Sequence, residues 1–170
     1  MRLAVLLLLV ACWSGFAADQ APVQSPPLSI ERLNAPPVTL AQYRGKVVAL
    51  AFILTSCSHC QDLTKILNRL APEYAPRGVQ FLECAINGDA PTAMKDFVSR
   101  FAPQFPVGWN SEAVVRAYVH LPIPRPLYAP HMVFLDRNGA IRMDAPGDNG
   151  AFYGNVEASI RAELDQLLKK

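Results

Sequence analysis

Residues 46–54 read Lys-Val-Val-Ala-Leu-Ala-Phe-Ile-Leu, an almost unbroken run of apolar and β-branched side chains. A run like this, with no polar residue at alternate positions, suits a strand buried on both faces, and such a strand needs a layer of structure above and below it. Just downstream stand Cys57-Ser58-His59-Cys60, after which Leu63, Ile66, Leu67 and Leu70 recur at the i, i+3, i+4, i+7 spacing of an amphipathic helix. Both cysteines therefore fall where a buried strand hands over to the first turn of a helix. Unpaired N–H groups and the positive end of the helix dipole at such a turn stabilise a thiolate on the first cysteine. By position as well as by spacing, this is a redox dithiol.

With 170 residues the chain has room for one domain with a proper core. A formal charge of +2, with the basic residues scattered, gives no reason to expect nucleic acid or an anionic membrane as a partner. After the N-terminus no stretch approaches the roughly 20 apolar residues of a membrane span.

The N-terminus itself reads as an export signal. Arg2 precedes the apolar run Leu3 to Trp13, and Gly15 and Ala17 satisfy the small-x-small rule, which places cleavage after Ala17 and makes residues 1–17 a signal peptide. A rival reading is a lipoprotein signal, because Leu9-Val10-Ala11-Cys12 resembles a lipobox, although only eleven residues precede that cysteine. Export to a bacterial periplasm is the expectation, with lipid anchoring through Cys12 as the alternative. In an oxidising compartment a C-x-x-C pair reads as a disulfide or redox couple more readily than as half of a zinc site. A loop closed over two residues constrains the unfolded chain very little, which argues against a purely structural staple.

Residues 18–27 form a proline-bearing polar stretch expected to be a flexible leader, and residues 28–170 the single folded domain. Leu28 to Leu40 reads as a hairpin around Asn34-Ala35-Pro36-Pro37. The helix after Cys60 should end near Tyr74, followed by a strand from Val79 to Ile86. Asp89 and Pro91 open a second helix with Met94, Phe97, Val98 and Phe101 on one face, and Asn110 or Ser111 caps a third through about Val119. Leu121 to Pro130 is too rich in proline for a helix or a central strand. His131 to Leu135 and Ala140 to Met143 form a hairpin, and Asn155 to Leu168 a closing helix with Val156, Ile160, Leu164 and Leu167 inward. Strands separated by helices, followed by a hairpin, predict an α/β fold: a central mixed sheet with helices on both faces.

Three features in order resemble the thioredoxin-fold redoxin family, and most closely its exported TlpA-like thiol–disulfide oxidoreductases. They are Tyr43 to Val48 leading into Cys57-x-x-Cys60, then Phe105-Pro106-Val107, then Pro130-His131-Met132-Val133-Phe134-Leu135-Asp136-Arg137-Asn138-Gly139. The resemblance spans roughly residues 28–168 and implies a thioredoxin-like fold with an N-terminal β-hairpin extension. It also implies a cis Ala129–Pro130 peptide opposite the dithiol, whose neighbouring backbone binds a substrate peptide. The chain departs from the family at three places. Ser56 stands where many relatives have tryptophan, and Ala51 where thioredoxins have a buried aspartate. Leu63 stands where TlpA-like proteins often have glutamate. The usual buried proton acceptor is therefore expected to be missing. Asp62 should face solvent, and deprotonation of Cys60 would fall to water or His59.

Cys57 is the expected nucleophile and Cys60, one turn into the helix, the resolving thiol. His59, between them, is expected to tune the Cys57 thiolate. Cys84 reads as a buried small residue facing with Leu82 and Ile86, and His120 and His131 as loop or surface residues without metal-ligand spacing. No metal or cofactor is expected. The expected partners are cysteine-containing protein substrates and a protein that recharges the dithiol. Two other functions use the same fold. A thiol peroxidase would carry Pro-x-x-x-Thr-x-x-Cys, but Leu54 stands three before Cys57 and no such proline precedes it. A copper-carrier relative would use C-x-x-x-C with a distant histidine, a longer spacing than this chain has.

Overall fold

The computed structural model describes residues 23–169. The expected signal peptide, Cys12 and residues 18–22 of the expected leader lie outside the described residues. Strand β4 (Val47–Ile53) is the expected buried strand, and every one of its residues is buried. It pairs in parallel with β5 (Val79–Ala85) and antiparallel with β7 (His131–Leu135). Eight strands form one sheet in the order β1-β8-β7-β4-β5-β6-β2-β3, so β4 lies well inside it. The remaining strands are β1 (Val23–Gln24), β2 (Ser29–Arg32), β3 (Ala35–Thr39), β6 (Val107–Trp109) and β8 (Ala140–Ala145).

Alternation along the strands sorts the core into two layers. Val47, Ala49, Ala51 and Ile53 of β4 enter one layer with Phe81 of β5 and Met132 and Phe134 of β7. Helices α1 (Ser58–Tyr74), α2 (Ala90–Phe101), α4 (Gly150–Tyr153) and α5 (Val156–Leu168) cover that face. Val48, Leu50 and Phe52 point the other way, with Leu82, Cys84 and Ile86, and are covered by Val115 and Tyr118 of α3 (Glu112–Tyr118) and by Leu28 and Leu40. Helices thus flank a mixed sheet on both faces, as the strand and helix pattern predicts.

Local chemistry sets the helix limits. Ser111 caps α3 by accepting the Val114 N–H at 3.3 Å, and Asn149 caps α4 by accepting the Phe152 N–H at 3.1 Å. In α1, Leu63, Leu67 and Leu70 are buried and Ile66 is half-buried. In α2, Met94 and Phe97 are buried, but Val98, expected on the same face, is exposed. Exposed ion pairs lace α5 to the α1 region, among them Arg69–Glu157 at 2.8 Å and Arg77–Asp165 at 2.7 Å.

Three features of the sheet were not expected. Val23 and Gln24, placed in the flexible leader, pair with Ile141 and Ala140 as β1. The returning strand β8 runs two residues past Met143, to Ala145, and the short helix α4 follows it. The N-terminal hairpin is not an appendage, since Glu31 of β2 pairs with Trp109 of β6 and extends the central sheet. Gly108 permits that junction. A Cβ there would lie 1.8 Å from the Glu31 carbonyl oxygen and 2.8 Å from an Ile30 methyl. Gly108→Ala should therefore destabilise the fold by about 2–3 kcal/mol, through overpacking of the junction. Urea unfolding should show a lower midpoint with an unchanged slope; an unchanged midpoint would mean that the hairpin docks loosely.

Candidate active site

The β4 strand ends at Ile53, and the chain turns through Leu54, Thr55 and Ser56 into α1. Asn87, from the loop after β5, holds this turn. Its side-chain oxygen accepts the Thr55 N–H at 3.1 Å and its amide donates to Thr55 Oγ1 at 2.8 Å. Gln61 adds a bond from Nε2 to the Thr55 carbonyl at 2.9 Å. Cys57 is the N-cap of α1, with extended backbone (φ −78°, ψ 124°), and Cys60 is its third helical residue.

The two thiols are reduced and differ in environment. Cys57 is half-buried, whereas Cys60 is sealed at 0 % exposure. Cys60 Sγ accepts the Leu54 N–H at 3.4 Å. Burial pushes the Cys60 thiol far above its ordinary range, against that hydrogen bond, and contact with Cys57 and the charge of Glu83 push it further. His59 and Asp62 are both exposed, and Asp62 pairs with Lys65 at 2.8 Å, which holds its carboxyl below the usual range.

The proline-rich segment before β7 comes round to the same place. The Ala129–Pro130 peptide is cis, as is Ile123–Pro124, which the sequence did not suggest. Ala129 and Pro130 line a groove of about 290 Å³ together with His59, Leu63, Ile66 and Tyr153. Gly147 closes its far side. A Cβ there would stand 2.9 Å from the Pro130 carbonyl oxygen, so the loop after β8 can approach the proline turn only with glycine at this position. The fold thus gathers Cys57, His59 and Cys60 at one helix start and places the Ala129–Pro130 turn across a groove from His59.

Two expectations are corrected here. The site does hold a buried carboxylate: Glu83 of β5 is at 0 % exposure, beside Ala51 in the β4–β5 register, and its Oε1 accepts a hydrogen bond from the Thr64 hydroxyl at 2.9 Å. Burial lifts its carboxyl to about 8, against the opposing Thr64 bond. One sequence signal was available: Glu83 lies in alternation with Phe81 and Ala85, on the inward face of a buried strand. The second correction concerns His131, which is not a surface residue. It is 3 % exposed, packs edge-on against Phe52 and hydrogen-bonds through Nε2 to Asp144. His120 is exposed. Cys84 is fully buried in the opposite core layer from Cys60, and burial raises its thiol to about 12. Among the described residues no group of three or more His, Cys, Asp or Glu side chains could hold a metal ion.

With this geometry in hand, comparison with known proteins places the chain. The model of the AhpC/TSA family matches residues 19–143. The chain belongs to that family. It is similar to the thiol-disulfide oxidoreductase ResA of Geobacillus kaustophilus (strain HTA426), at 29% identity over 158 residues, covering 86% of each chain. Among solved structures it resembles a thiol:disulfide interchange protein of the thioredoxin family from Chlorobium tepidum TLS, with TM-score 0.73, 20% identity, and coverage of 89% of this chain and 99% of that one. It also resembles a structure described as a putative thiol:disulfide interchange protein DsbE from Chlorobium tepidum, with TM-score 0.69, 22% identity, and coverage of 84% and 96%. These structural likenesses establish the thioredoxin-like fold.

Glu83 makes stability depend on pH. The folded chain keeps its proton up to about 8, whereas an ordinary glutamate releases it near 4.5. A raised folded value means a contribution that is whole below about 4.5 and is lost as pH rises to about 8. Urea unfolding at a series of pH values should show this decline in the native chain and not in Glu83→Gln. The same decline in both proteins would mean that Glu83 is ionised within the fold.

Proposed function

We propose that this chain is an exported thiol–disulfide oxidoreductase that exchanges disulfides with the cysteines of protein substrates. The observation that carries this reading is the asymmetry of the dithiol. Cys57 is reachable at a helix N-terminus, and Cys60, one turn on, is fully buried. The names of the ResA relatives support the same activity. Export rests on the N-terminal pattern of Arg2, the apolar run and Ala17, and Edman sequencing of the exported chain should begin at Ala18. A retained N-terminus, or a lipid on Cys12, would replace that assignment.

In the oxidising half-reaction a substrate thiolate attacks Cys57 Sγ of the Cys57–Cys60 disulfide, and Cys60 leaves. A second substrate thiol then attacks the mixed disulfide, releasing Cys57 and taking the new disulfide away. In the reducing half-reaction the Cys57 thiolate attacks a substrate disulfide and expels one substrate sulfur. Cys60 then attacks Cys57 Sγ and releases the other. The groove between His59 and Ala129–Pro130 is where the peptide carrying the substrate cysteine would lie. A positive charge on His59 would favour the Cys57 thiolate, stabilise the reduced form and make the disulfide a stronger oxidant. A second protein must return the dithiol to its starting state.

The peroxidase reading draws on the family match, but Leu54 occupies the threonine position, and its N–H is directed at Cys60 rather than at a bound peroxide. Hydrogen peroxide consumption with a thiol donor tests it directly, and a rapid turnover that needs Cys57 alone would favour it over disulfide exchange.

The decisive experiment is equilibration of the mature chain in glutathione buffers. A single two-electron couple should appear and should vanish in both Cys57→Ser and Cys60→Ser, with Cys60→Ser alone accumulating mixed disulfides. A potential below about −220 mV would mark a reductase, and one near −120 to −180 mV an oxidant or isomerase. His59→Ala should lower the potential by about 30 mV, roughly 1.4 kcal/mol. If the native chain shows no reversible couple, the oxidoreductase reading fails.

A further inference from the structure

The regular pairing of β7 with β8 ends at Met132 and Ala145. Just past that end the two strands run into the groove, Ala129 and Pro130 lining it before β7 and Gly147 after β8. The two segments touch, since a Cβ on Gly147 would stand 2.9 Å from both the Pro130 carbonyl oxygen and the Tyr128 carbonyl carbon. One side-chain bond joins the strands here. His131, the residue after Pro130, hydrogen-bonds through Nε2 to Asp144, three residues before Gly147. Asp144 stands opposite Val133 in the register, which makes it the diagonal neighbour of His131 on one face of the hairpin. His131 is 3 % exposed, and its ring meets Phe52, the residue beside it on β4. Its Nδ1 has no partner among the described residues, and an N–H there would be a buried donor left unserved. The ring proton therefore belongs on Nε2, donated to Asp144 Oδ1. Packing does not replace this bond. A second cleft, of about 410 Å³, lies behind the turn and is lined by Tyr128, Pro146 and the two bonded side chains themselves. The turn thus has open space on both sides, the groove on one and this cleft on the other. From the groove side the Tyr153 hydroxyl steadies the end of the hairpin by donating to the Ala145 carbonyl at 3.0 Å.

We propose that His131 and Asp144 are a positioning pair for the substrate groove, fixing the Ala129–Pro130 turn against Gly147 so that a client peptide meets a wall already in place. This rests on the disulfide-exchange reading. Neither side chain lines the groove, so both act through the turn. His131 packs on Phe52 in the α3 layer of the core, whereas Cys57 and Cys60 belong to the α1 layer. A peptide laid along the turn bonds to backbone groups, and a turn that is free to shift must be ordered at the moment of binding, which weakens the hold. A small thiol such as dithiothreitol has no peptide backbone to lay there and reaches Cys57 without the turn. The pair therefore separates peptide substrates from small ones.

The test is reduction of a disulfide-bearing peptide by the chain, with dithiothreitol as the terminal reductant. Asp144 is half-exposed, so Asp144→Ala should fold, and it leaves His131 Nε2 without its acceptor. It should raise KM for the peptide about tenfold at native kcat. Direct reduction of the oxidised chain by dithiothreitol alone should keep its native rate. Asp144→Asn, whose side-chain carbonyl still accepts from Nε2, should keep the native KM. His131→Phe retains a ring against Phe52 without the bond and should match Asp144→Ala, and combining the two should raise KM no further. A native KM in Asp144→Ala, a raised KM in Asp144→Asn, additive effects in the double variant, or peptide and dithiothreitol rates that fall together would each overturn the proposal. Failure of the oxidoreductase reading looks different and takes the proposal with it, since the native chain would then reduce no peptide and show no glutathione-dependent couple.

Discussion

Strand β4 is paired on both edges and covered on both faces, and the position of everything chemical in the molecule follows from that enclosure. Its backbone hydrogen bonds run to β5 on one side and β7 on the other. The turn that leaves it is tied to Asn87 as well. The start of α1 therefore has little freedom, and a cysteine at its N-cap is fixed at the sheet's end with one thiol outward and the other inward. A buried strand contributes apolar area at about 25 cal/mol per Å², so a core of this kind tolerates a polar group only where a partner is provided. Glu83 and Thr64 are such a pair, in the layer that also holds Cys60.

The two faces of the sheet separate the polar groups into independent systems. Cys60, Glu83 and Thr64 belong to the α1 face; Cys84, Phe52 and His131 belong to the α3 face. The His131–Asp144 hydrogen bond lies across the sheet from Glu83, and Cys84 has no path to the dithiol that does not cross the strands. The sheet therefore stands between Cys84 and the Cys57–Cys60 pair. Cys57 is half-buried at the end of the sheet, and Cys84 is closed off, its thiol raised by burial.

The fold was largely readable because its signals are local. The apolar run before the dithiol, the leucines of α1 and the turn at Asp136 to Gly139 each specify an element by periodicity or turn chemistry, and each is present with nearly the expected limits. The misses depend on distant partners. Val98 has the right spacing for a core face, yet it falls at the rim of α2 and is exposed. Val23 and Gln24 look like leader residues because a two-residue strand has no pattern, and only the free edge of β8 makes them one. His131 opens an expected strand, but its burial depends on Phe52, far away in sequence, and on Asp144 of the returning strand. Cys57, His59 and Cys60 were visible in a four-residue motif. Their cross-groove neighbours Gly147 and Tyr153 were not, since nothing in the sequence near them points at the dithiol.

Glu83 belongs to the second kind, and its case also explains two absences. Position 51 lies next to position 83 in the β4–β5 register, and position 63 follows Cys60 by less than one helical turn in the same core layer. A second carboxylate at either place would share a water-poor volume with Glu83, and like charges at such separation cannot both ionise without a large cost. Alanine at 51 leaves room for the longer glutamate side chain, and leucine at 63 keeps the layer dry. Reading position 51 and position 63 one at a time suggests that the acid has been lost. Read through the pairing of β4 with β5, the same residues leave room for a buried carboxyl that comes from the neighbouring strand.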